Sequence, residues 1–108
     1  MNKSIKKKWT KALRSDEYVQ GTNQLVTTWG DYDEFCCLGV LCDVMGVEFE
    51  KNPQKGLVIA GTERNDSLPK PLLEKAGLNF GEQAALMDLN DNKYQNFSQI
   101  ADWIDENL

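Results

Sequence analysis

The chain has 108 residues, of which 41% are hydrophobic and 27% charged, and it carries a net charge of −5. That is the length of one globular domain, residues 1–108, with chain enough for a core that needs no disulfide or metal staple. The acidic balance argues against a general nucleic-acid coat and against binding an anionic membrane by bulk charge. No apolar run nears the roughly 18 residues of a membrane span, and the lysine-rich start has no apolar stretch behind it, so no secretory signal is expected.

Histidine is absent, which excludes ordinary Ser-His and Cys-His catalysis and histidine-ligated zinc. The three cysteines, Cys36, Cys37 and Cys42, fall within seven residues and form no CxxC pair. Neighbouring cysteines rarely bridge. Their place in the most apolar run points to reduced, buried thiols packed as small hydrophobes. No catalytic constellation, no metal ligand set and no cofactor motif is recognisable.

In chain order, Ser4 to Arg14 reads as a helix, with Ile5, Trp9, Ala12 and Leu13 on one stripe. The remainder of that helix is basic, and Met1 to Arg14 carries a local charge of +6. Gln24 to Trp29 is β-branched and aromatic and predicts a short strand. Gly30 to Asp33 forms the turn of a hairpin whose second strand begins at Glu34 or Phe35. Phe35 to Met45 predicts a central helix, buried on nearly all faces and stopped by Gly46, with Gly39 allowing another element to approach closely. Asp43 interrupts it and needs a partner if it is buried. Val47 to Glu50 and Gly56 to Ala60 are short strands, and Pro71 to Ala76 is a short helix stopped by Gly77.

Glu82 to Leu89 is a further helix, ended by Asn90-Asp91-Asn92, and the last runs from an N-cap at Ser98 to about Asn107. The expected architecture is therefore a small α+β domain. Three to four helices surround the central apolar helix (about 35–45) and pack with a small antiparallel sheet.

Two motifs fail on inspection. Asp88, Asn90 and Asn92 match the opening of a calcium loop, but Lys93 stands where its glycine belongs and Gln99 where its bidentate glutamate belongs. The last two helices have a helix-turn-helix rhythm, yet Glu82 to Leu108 holds six acids and one lysine, so nucleic acid is not the expected partner. Two candidate binding regions remain. One is the basic face of the first helix, with Lys3, Lys7, Lys11 and Arg14. The other is the Trp29 to Asp33 turn, with Trp29, Asp31 and Asp33.

The pattern Trp9-x-x-Ala12-Leu13-Arg14-Ser15, Tyr18-x-Gln20, Phe35-Cys-Cys-Leu-Gly-Val-Leu-Cys-Asp43, Leu89-Asn90-Asp91 and Phe97-x-x-Ile100-Ala101-Asp102-x-Ile104 resembles a family of short proteins encoded by tailed bacteriophages. The resemblance covers most of the chain and carries no named activity. Where those proteins often have a glycine after Leu-Asn-Asp, this chain has the longer polar turn Asn92 to Asn96. The resemblance implies a phage origin and action in the cytoplasm of an infected bacterium. The expected function is that of a non-enzymatic accessory protein binding a host protein. The alternative is sequestration of a small anionic molecule, of nucleotide type, by the basic helix and the Trp29 to Asp33 turn.

Overall fold

The computed structural model describes residues 1–108. Helix α1 (Lys3–Leu13) begins at Asn2, whose side chain accepts the Ile5 N–H at 2.9 Å, so the cap lies upstream of the lysine run. Its stripe is buried as expected, with Trp9 and Leu13 in the core and Ile5 and Ala12 packed against it. The Trp9 indole N–H donates to the Cys37 carbonyl at 2.9 Å, tying α1 to the centre of the domain.

That centre is α2 (Cys37–Val44), buried on every side from Cys37 to Cys42. The helix starts two residues later than its apolar run, because Phe35 belongs to a strand and the Cys36 thiol caps it, accepting from the Gly39 N–H at 3.4 Å. Gly39 has the predicted role: a Cβ there would collide with the Leu25 backbone carbonyl. Leu25 also holds the start of the helix, its carbonyl accepting the Cys36 N–H at 3.1 Å.

The strands form two small sheets. Strands β1 (Val19–Gln20), β2 (Val26–Thr28) and β3 (Asp33–Phe35) form one in the order β1-β3-β2. The hairpin β2–β3 is antiparallel, but β1 runs parallel to β3, so the expected all-antiparallel sheet is mixed. A two-residue strand has no periodicity to read, which is why β1 is invisible in the sequence. Strands β4 (Phe49–Asn52) and β5 (Gly56–Ile59) form the second, antiparallel pair.

Helix α3 (Lys70–Ala76) ends at Gly77, whose φ of 75° gives the left-handed cap. Helices α4 (Phe80–Asp91) and α5 (Phe97–Asn107) complete the fold and bring the count to five helices. Both begin earlier than expected. Each opens with a capping box, Asn79 with Glu82 and Asn96 with Gln99. Asn96, not Ser98, is the N-cap of α5, and Phe97 is its first residue, buried. A box closes two orphan donors where a lone serine closes one. No helix is long and apolar enough to cross a membrane.

Helix α4 also ends later than expected. Asn90 lies inside it and is 1% exposed. Its Oδ1 accepts from the Cys37 N–H at 3.2 Å and from Gln20 Nε2 at 3.0 Å, and its Nδ2 donates to the Gly21 carbonyl at 2.9 Å and to Asp91 Oδ1 at 2.8 Å. That uses the full capacity of a carboxamide. Asp91 accepts in turn from the Asn23 N–H at 3.0 Å. These oxygens do sit on backbone N–H groups, but on those of α2 and of the β1–β2 loop. The Leu-Asn-Asp segment is the last stretch of α4, and its side chains fasten distant elements together rather than capping the helix.

Candidate functional site

The register of the three-stranded sheet sorts its side chains into two faces. Gln20, Phe35 and Val26 lie side by side in one row, and Val19, Glu34 and Thr27 in the next. The first row faces inward: Val26 is 3% exposed and Gln20 reaches Asn90. Alternation along a strand turns the second row outward. From Thr27 and Glu34 the same alternation carries the outer face on to Trp29 and Tyr32. The Trp29 N–H bonds the Tyr32 carbonyl at 2.9 Å, closing the hairpin around Gly30-Asp31. Gly30 adopts φ 95°, the left-handed first position that II′ hairpin turns assign to glycine.

The result is a solvent-facing surface with three large apolar side chains. Val19 is 51% exposed, Trp29 59% and Tyr32 49%. Glu34 sits among them, and its Oε1 accepts the Trp29 indole N–H at 2.7 Å. That bond fixes the indole without burying it. Nothing else in the chain binds this carboxylate, so its second oxygen is free to accept from outside. The stretch of chain that holds these strands is one-sided in charge: from Ser15 to Glu50 there are eight carboxylates and no lysine or arginine, while Lys51 of β4 shares a cleft with Thr28.

The candidate residues named from sequence divide accordingly. Trp29 is central to this face. Asp31 is exposed in the turn between Trp29 and Tyr32. Asp33 pairs with Thr28 and so lies on the opposite face of the hairpin. Val19, Tyr32 and Glu34 were missed, although counting in twos from Trp29 across a two-residue turn finds Tyr32 and Glu34. Val19 has no such signal, since only β1 brings it alongside.

On the basic helix, Lys3, Lys7 and Lys11 are exposed and make no ion pair. Arg14 does not belong with them. Its guanidinium reaches Asp102 and Asp105 of α5, at 2.8 Å each. Those two acids are three apart and share a helix face, and Arg14 follows the last residue of α1, where a long side chain can cross to it. The residue expected to bind an anionic ligand instead joins two helices. No hydrogen bond or ion pair links the remaining lysines to the Trp29 hairpin, so the two candidate regions do not form one site.

The other reactive groups are committed elsewhere. All three thiols are buried and unbridged. Burial pushes Cys36 up to about 11 and Cys42 up to about 12, and raises Cys37 well above the usual thiol range. They therefore remain protonated and poorly nucleophilic at neutral pH. They do not gather with carboxylates into a set that could hold a metal ion. Asp43 is exposed rather than buried, and it accepts a short hydrogen bond from the Tyr18 hydroxyl. Burial, then that bond, pushes Tyr18 up to about 12. At the C-terminal end of α4, Asn92 Nδ2 donates to Asp88 at 2.9 Å and, with the Lys93 ammonium, holds that carboxyl below its usual range. Asn90 points away into the core, so the three side chains do not surround a common centre.

No curated protein and no solved structure matches the chain. Residues 1–79, which include α1 to α3 and both sheets, match the model of one family, and the chain belongs to it: the domain of unknown function DUF8296.

Proposed function

We propose that this is a non-enzymatic bacteriophage accessory protein that binds a host protein in the cytoplasm of the infected cell, and that it does so with the outer face of its three-stranded sheet. The observation that carries the reading is the exposure of Val19, Trp29 and Tyr32 on that single face. None of these side chains belongs to the core or packs against it, while aromatic residues held rigidly at a surface are the usual anchors of protein interfaces. The phage origin and the cytoplasmic setting rest on the resemblance of the Phe35 to Asp43 and Leu89 to Ile104 segments. Protonated, buried thiols support a binding role over a catalytic one. Sequestration of a small anion is less well supported, because Arg14 is already neutralised by two carboxylates.

Retention of host protein from bacterial lysate by three forms of the chain tests this. The wild type and a Lys7→Glu/Lys11→Glu variant should retain the same protein, and a Trp29→Ser/Tyr32→Ser variant should lose it. Loss in the lysine variant with retention in the hairpin variant would move the interface to α1. A nucleotide released on denaturing the purified protein would support the small-molecule role instead.

A further inference from the structure

Resting on that reading of the sheet face, we infer that the partner's anchor is an arginine side chain, laid on the Trp29 ring and paired with the Glu34 carboxylate. Trp29, Tyr32 and Glu34 place two aromatic rings and an acid on one face. Aromatic faces attract cations, tryptophan most strongly. A guanidinium can stack flat on an indole while its edge donates to a carboxylate, which an ammonium cannot do. Glu34 is arranged for this: one oxygen orients the indole and the other has no partner in the chain.

The wider surface agrees. All three strands lie within Ser15 to Glu50, a stretch of 36 residues without lysine or arginine, and Asp31 adds a carboxylate at the turn beside the aromatic pair. The cationic α1 lies apart, packed on α2 and α5. An acidic or purely apolar partner segment would leave Glu34 desolvated without a counter-charge, a cost that an arginine offsets.

The probes are synthetic hexa-arginine and hexa-lysine peptides, titrated into the ¹⁵N-labelled full chain. The indole N–H signal of Trp29 is assigned by its absence in Trp29→Phe. Hexa-arginine should shift that signal and should bind several-fold more tightly than hexa-lysine. Glu34→Gln should weaken hexa-arginine binding by about tenfold, roughly the effect of one charge-assisted contact. In a second arm the same peptide competes with the host protein retained by the sheet face, and should displace it.

If hexa-arginine does not bind, binds no better than hexa-lysine, or is indifferent to Glu34→Gln, the arginine assignment is overturned. The sheet face keeps its role in that case, provided Trp29→Ser/Tyr32→Ser loses the host protein. If that double variant still retains the host protein, the sheet-face reading fails and takes this inference with it.

Discussion

Asn90 and Trp29 occupy each other's expected places. One is polar and 1% exposed; the other is a tryptophan and 59% exposed. The fold accounts fully for Asn90, since its carboxamide makes four hydrogen bonds, three of which join α4 to α2, β1 and the loop after β1 while the fourth holds the neighbouring Asp91. It does not account for Trp29, which is bonded only by its indole N–H to Glu34 and by its backbone to Tyr32. A buried polar group that is completely satisfied is a fastening. An exposed aromatic that is oriented but not covered is available to something outside the chain. The comparison separates the part of the molecule built for stability from the part that the proposed recognition would use.

The fastened side should yield the largest effects when broken. Gly39→Ala should cost about 3 kcal/mol or more, because the new methyl has only the Leu25 backbone to displace and the β2–α2 approach must open. Urea unfolding measures it, and a cost under about 1 kcal/mol would show that the approach is loose. Asn90→Leu should cost about 2 kcal/mol, since it leaves the buried Cys37 N–H and the Gly21 carbonyl without partners. A neutral outcome would mean that water replaces the carboxamide, and the contrast with Trp29 would lose its meaning.

Raising the pH probes the same core without mutation. Cys36, Cys37, Cys42 and Tyr18 all hold their protons more tightly in the folded chain, chiefly through burial. Their contribution is therefore complete below the unfolded values, near 9 for thiols and 10 for tyrosine, and is lost as pH rises toward 12. Denaturant midpoints should be level from pH 7 to about 8.5 and then fall steadily. Tyr18→Phe should reduce only the later part of the fall. Native thiol labelling should be slow across the level region, and rapid labelling of all three cysteines at pH 8 would contradict their burial. Arg14→Ala should matter less, about 0.5 kcal/mol and diminishing with salt, because its carboxylate partners are solvent-exposed.

The legibility of the two regions differed for physical reasons. The core helix, its glycine and the burial of its thiols were readable because hydropathy and local spacing determine them. The Leu-Asn-Asp segment stands at a helix end, two residues further on than its spacing predicts, but its fastening role is invisible locally because its partners lie 53 to 70 residues away in the chain. Arg14 reads with the α1 lysines for the same reason, its acids being 88 and 91 residues distant. The caps at Asn79 and Asn96 were a different matter. The signals Asn-x-x-Glu and Asn-x-x-Gln stood in the sequence, and following them would have started α4 and α5 at the right residues. On the sheet, Trp29 was singled out, but its neighbours depended on a register that only the folded strands reveal.

The central claim is that Trp29 and Tyr32 serve recognition and not folding, and one variant tests both halves. Trp29→Ser/Tyr32→Ser should unfold within about 0.5 kcal/mol of the wild type, as surface changes do, and should lose the host protein that the wild type retains. A variant that keeps that protein, or that loses it only because the domain has unfolded, would contradict the account.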